Sequence, residues 1–212
     1  MQDKISITFF KDSVSYYNAA SVLCSCEQRS VDDQLFLTPI IYLYRHSIEL
    51  IIKALIINYL EQSLNQNSIE EFYLYSENGK KTKLKLTSCH SLNALYSCLK
   101  HFDKTERIVS SFDSNELEFI DRVIKEIESI DKNSDYFRYP IGKHKEQHTR
   151  KFITVSETDI MPDLSQIHQN FIYEGPYNKV IAFTSIETKY IKLSENIKIV
   201  AKILINKYKK DD

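Results

Sequence analysis

Glycine and proline are scarce in this chain, at 3 and 4 of its 212 residues. So few chain-turning residues exclude a turn-rich sandwich and favour long helices. An excess of either charge is also missing. The net charge of −1 and pI near 6.6 exclude a protein that coats nucleic acid by bulk charge, though not one with a local basic patch. The opening MQDKISITFF lacks a basic run followed by an apolar stretch, so no secretory leader is expected. Cysteine usage is sparse too. Cys24, Cys26, Cys89 and Cys98 show no CxxC spacing, which argues for reduced, buried thiols in a cytoplasmic protein and against a metal site. No metal or other cofactor is expected.

What the chain has instead is one long apolar stretch, Thr38 to Leu64. Thr38 suits an N-cap and Pro39 the first helical position. The stretch reads as a helix of about 26 residues, roughly 39 Å at 1.5 Å per residue. It is apolar nearly all round, the mark of a helix buried on several sides. Arg45, His46, Glu49 and Lys53 interrupt it within an arc of roughly 100°. A bilayer span is not expected, because Arg, Glu or Lys at its centre would each cost about 2.5–3.5 kcal/mol. Inside a soluble bundle such charges must pair or line a cleft.

The flanking sequence reads as more helices. Phe10, Val14, Tyr17, Ser21 and Cys24 form one face of a helix over residues 10–26. Ser88 reads as the cap of a third helix carrying Leu92, Leu95, Leu99 and Phe102, with His90 in its first turn. Asp113 to Glu116 is a capping box for a fourth helix carrying Leu117, Ile120, Ile124 and Ile127 and ending near Asp131. A second capping box, Thr184 to Glu187, opens the last helix, with Ile186, Tyr190, Leu193, Ile197, Val200 and Leu204 on one face. Between the second and third helices the period changes. Lys81, Lys83 and Lys85 alternate with Thr82, Leu84 and Leu86 after Asn78-Gly79, predicting a β-hairpin. From Arg138 to Lys151 the chain carries five Lys or Arg, two His and one acid. Phe152 to Val155 reads as a short strand, and Pro162 to Phe171 as a short helix.

Three pieces in this order resemble prokaryotic members of the HEPN superfamily. They are Arg45-His46-Ser47-Ile48-Glu49-Leu50-Ile51-Ile52-Lys53-Ala54-Leu55, then Cys89-His90-Ser91-Leu92-Asn93-Ala94-Leu95, then Phe137-Arg138-Tyr139-Pro140. The resemblance covers roughly residues 10–140, and the C-terminal helix more loosely. It implies a mostly α fold: an antiparallel helical bundle with an inserted β-hairpin. The whole chain, 1–212, would be one HEPN-like domain, with the hairpin at about 70–87 and a basic loop region at about 134–160. It further implies a homodimer in a toxin–antitoxin or antiviral defence system, with a cognate antitoxin or defence-system protein as partner. Many members are metal-independent endoribonucleases with an Arg followed four to six residues later by a His. Arg138 and His144 have that spacing, though Pro140 and Gly142 lie between them. Other members bind RNA or nucleotides, or serve as scaffolds.

RNA cleavage by a ribose 2′-OH needs a base, a cation for the developing phosphorane charge and an acid for the leaving oxygen. His144 and His46 are the candidate base and acid, Arg138 or Arg45 the cation that holds the phosphate, and Glu49 the residue that orients a histidine or arginine. Arg45, Lys53, His90, Lys143, Lys145 and Arg150 are candidate RNA contacts. The resemblance implies that Glu49, His90 and Arg138 share a pocket, whereas simple up-and-down topology would separate them. In the alternative, Arg45–Glu49 and Glu49–Lys53 are i,i+4 pairs that merely neutralise one another. The protein is then a non-catalytic interaction or dimerisation module, or a nucleotide-binding sensor.

Overall fold

The computed structural model describes residues 5–25, 33–63, 72–75, 81–84, 86–106, 112–131, 134, 152–155, 172–174, 180–183 and 188–211. The described chain is mostly α. Its helices are α1 (Ile5–Ser25), α2 (Asp33–Ser63), α3 (Leu92–Glu106), α4 (Ser114–Ile130) and α5 (Thr188–Asp211). α2 is the hub, packed against α1, α3 and α5, while α4 closes over α3 and α5. Every residue from Ser47 through Leu60 is buried, as a helix apolar all round requires. Ile41, Ile48, Ile51, Ile52, Ile56 and Ile57 meet Leu92, Leu95, Ile120, Ile124, Leu193, Ile197 and Leu204 in one core. None of the helices in the described residues is long and apolar enough to cross a membrane.

Short strands accompany the helices. β1 (Phe72–Tyr75) pairs antiparallel with β2 (Lys81–Leu84), Phe72 opposite Leu84 and Tyr75 opposite Lys81. β3 (Phe152–Val155), β4 (Ile172–Glu174) and β5 (Val180–Phe183) form an antiparallel sheet in the order β3-β5-β4. The expected turn at Asn78-Gly79, the helix over Pro162–Phe171 and the capping box Thr184–Glu187 lie outside the described residues.

Three helix starts differ from expectation. α2 begins at Asp33, not Thr38, which leaves Pro39 inside the helix. Proline there removes the hydrogen bond to the carbonyl four residues back, but Leu37, Ile40 and Ile41 are buried on either side of it. Burial therefore outweighs the local preference. α1 begins at Ile5 because Glu61 of α2 caps it, accepting from Ile5 N at 3.1 Å and Ser6 Oγ at 2.6 Å. α3 is capped by Ser91, whose Oγ accepts from Ala94 N at 3.2 Å. Leu86–Ser88 is a 3-10 turn, so Ser88 is not the cap and His90 precedes the helix.

The buried stripe of α1 is also not the apolar one. Ser6, Ser13 and Ala20 are buried, spaced seven apart and so on one face. Phe10, Val14 and Tyr17 flank them, partly buried. Ser13 Oγ donates to Ser47 O at 2.9 Å, and Ser47 Oγ donates back to Ser13 O at 2.9 Å. Each hydroxyl reaches the other helix's main chain, which requires the two backbones to cross closely. A larger side chain cannot fit there. Ser13→Leu is expected to destabilise the fold by about 1–3 kcal/mol in urea denaturation, and Ser15→Leu, on the exposed face, to stay within about 0.5 kcal/mol.

Candidate functional site

The ionisable stripe of α2 is a buried charge cluster at the junction of three helices. Arg45, Glu49 and Lys53 are spaced four apart, so helical periodicity stacks them on one face. Arg45 is 0 % exposed, and all its donors face protein groups. Nη1 donates to Glu49 Oε2 at 3.2 Å and to Ser134 Oγ at 2.7 Å. Nη2 donates to His90 O at 2.9 Å and, at a long 3.5 Å, to Asp131 O. Nε lies 3.3 Å from Asp131 Oδ2, an ion pair without a hydrogen bond. One guanidinium thus ties α2 to the entry of α3 and the exit of α4.

Glu49 is the matching acceptor. Its Oε1 receives Lys53 Nζ at 2.8 Å and faces His90 Nδ1 at 3.0 Å. Burial pushes its carboxyl up, but the charge and hydrogen bond of Lys53, then Arg45, then His90, outweigh burial and hold it below its ordinary value. The His90 side chain is 44 % exposed, against 1 % for Glu49. The imidazole therefore stands at the surface on a buried anchor.

A second carboxylate fixes the loop from which His90 projects. Glu128 of α4 accepts from Leu92 N at 2.8 Å and from Ser91 Oγ at 3.1 Å, capping α3 from across the bundle. Burial raises its carboxyl above the ordinary value, with the Leu92 N–H, the Ser91 hydroxyl and Arg45 pulling the other way. Beside it, burial also raises the thiols of Cys89 and Cys98, the latter to about 12. Both behave as small apolar residues. Among the described residues no group of His, Cys, Asp and Glu could hold a metal ion.

No family model, curated protein or solved structure matches this chain. Of the expected site residues, Arg45, Glu49, Lys53 and His90 converge. α3 therefore starts beside the middle of α2 rather than beside its end. His46 does not join them. It turns to α1, stacked on Tyr42 at 5.7 Å and edge-on to Tyr16 at 4.4 Å, because its place at the rim of the arc faces that helix. Arg138, Lys143, His144, Lys145 and Arg150 lie outside the described residues. Asp131, Ser134 and Glu128 were not anticipated. Only the helix end at Asp131 hinted at one of them, since it and the start of α3 share an end of the bundle.

The cluster sets an expected acid limit. A folded value below the ordinary one means that Glu49 stabilises fully above the ordinary carboxylate range, and that this is lost as pH falls through the lowered value. Glu49→Gln strands two buried cations. Urea titrations across pH should show it about 3–5 kcal/mol less stable at neutral pH, with a flatter acid limb than the parent.

Proposed function

We propose that the chain is a HEPN-like domain that binds or cleaves RNA within a prokaryotic defence or toxin module, and that His90 is its proton-handling residue. The observation that carries this reading is a half-exposed imidazole held at Nδ1, 3.0 Å from a buried carboxylate. A base oriented by a third group is what activation of a hydroxyl requires. Glu49 keeps the orienting role expected of it. The base passes from His46 and His144 to His90.

In this reading His90 Nε2 takes the proton of a ribose 2′-OH, whose oxygen attacks the adjacent phosphorus. The 5′-oxygen leaves with a proton from an acid, giving a cyclic phosphate and a free 5′-hydroxyl. His144 is the candidate acid. Arg138 is the candidate cation for the phosphorane charge. Lys143, Lys145 and Arg150 supply backbone contacts to the RNA. All five follow shortly after Ser134 in the sequence, and Arg45 anchors Ser134 at 2.7 Å. Arg45 and Lys53 become structural supports, since they are 0 % and 3 % exposed. A homodimer, a cognate antitoxin or defence-system protein and a cytoplasmic location belong to the same proposal.

One observation favours the non-catalytic alternative. The donors of Arg45 all face protein groups, which is what a stripe that only specifies packing would look like. Purified protein incubated with total RNA in EDTA separates the two. The native chain is expected to cleave, with His90→Ala and His144→Ala each slower by about 10²–10⁴-fold and Lys192→Ala unchanged. Cleavage that survives His90→Ala would remove His90 from the mechanism, and RNA left both uncleaved and unbound by the native chain would leave the interaction module.

A further inference from the structure

Glu49 Oε1 takes two hydrogen bonds, from Lys53 Nζ at 2.8 Å and from His90 Nδ1 at 3.0 Å, which uses both lone pairs of that oxygen. Its other oxygen receives Arg45 Nη1 at 3.2 Å. Every group around this carboxylate is a donor, so in its ionised form it only accepts. The Nδ1 of His90 must then carry the hydrogen of the bond they share. A neutral imidazole with its proton on one nitrogen has an acceptor at the other. Nε2 is thus a bare lone pair on a side chain that is 44 % exposed, and no described residue hydrogen-bonds it.

We infer that Lys53 is a positioning residue: by holding Glu49 as an acceptor only, it fixes His90 in the Nδ1–H tautomer and presents Nε2 to a ligand hydroxyl. Lys53 is 3 % exposed and cannot itself reach a ligand. Its action runs through the oxygen it shares with His90. Without its charge the largest influence opposing the burial of Glu49 is gone, and Arg45 on Oε2 at 3.2 Å is the main one left; a proton taken up on Oε1 then donates to Nδ1. The tautomer then reverses, and Nε2 becomes a donor. The two states recognise opposite chemistry. A bare Nε2 accepts from a sugar hydroxyl and offers nothing to an unprotonated phosphate oxygen, whereas Nε2–H does the reverse. This assignment names the ligand group for the site proposed above, and it rests on that reading for its use but not for its test.

The test is the ring nitrogens of His90 in histidine-labelled full-length protein. Long-range proton–nitrogen correlation spectra are recorded at about pH 8.5, two units above the ordinary imidazole value, with His90→Gln to assign the signals. The expected native pattern is a protonated Nδ1 and a bare Nε2. Lys53→Met should shift the pair towards the opposite pattern, and Lys53→Arg should restore it. Lys53→Gln, which keeps a donor but no charge, is the second variant should Lys53→Met not fold. A native His90 with Nε2–H or averaged signals overturns the tautomer. A native pattern retained in the uncharged variants overturns the role of Lys53. The outcomes also separate this inference from the RNA proposal. A fixed tautomer with no action on RNA upholds the first and removes the second. Cleavage with the wrong tautomer does the opposite.

Discussion

The buried guanidinium of Arg45 is the constraint on which the junction of α2, α3 and α4 depends. Taking an unpaired ion out of water costs several kcal/mol, so a 0 %-exposed arginine survives only where its donors find acceptors. Here the acceptors come from three elements. Glu49 lies on the same helix, the His90 carbonyl just before α3, and Asp131 and Ser134 just after α4. Moving any one strands a charge. That couples the entry of one helix to the exit of another, in addition to the apolar core that α3 and α4 share. Ser134 shows the strength of the demand, because it holds φ 63 without being glycine. Such a conformation costs on the order of 1–3 kcal/mol and persists only where its surroundings over-determine it.

A second theme is that helices begin where another helix supplies a carboxylate. Glu61 caps α1 and Glu128 caps α3. Each places a negative group at the positive end of a helix and satisfies N–H groups that have no partner within the helix. These caps orient the bundle, and Glu128 also fixes the Ser91 that follows His90. The imidazole is therefore positioned twice, through its ring by Glu49 and through its main chain by Arg45 and the Glu128 cap.

This division explains what could be read from the chain alone. Asp113 and Glu116 cap α4 within one turn, with Glu116 N to Asp113 Oδ1 at 2.8 Å and Asp113 N to Glu116 Oε2 at 3.3 Å, so the box was legible locally. The Arg45–Glu49–Lys53 face was legible because helical periodicity alone stacks it. The start of α1 was not, since its cap comes from 55 positions away (Ser6 and Glu61), and at α3 the local cap Ser91 is joined by a second carboxylate 36 positions away (Leu92 and Glu128). The burial of Ser6, Ser13 and Ala20 was also hidden, because small polar residues look like a solvated face until a close crossing requires them. Asp131 and Ser134 carry no motif. Their part in the site is created by tertiary contact with Arg45.

The central claim is that Arg45 and Glu49 act as one unit rather than as two separate surface-type charges. A double-mutant cycle with Arg45→Met, Glu49→Gln and both together, followed by urea denaturation, tests it directly. The account predicts that the double variant loses less than the sum of the single variants, by a coupling of about 1–3 kcal/mol. Losses that add within about 0.5 kcal/mol would mean that the two charges are held independently, and the junction would then not depend on their pairing.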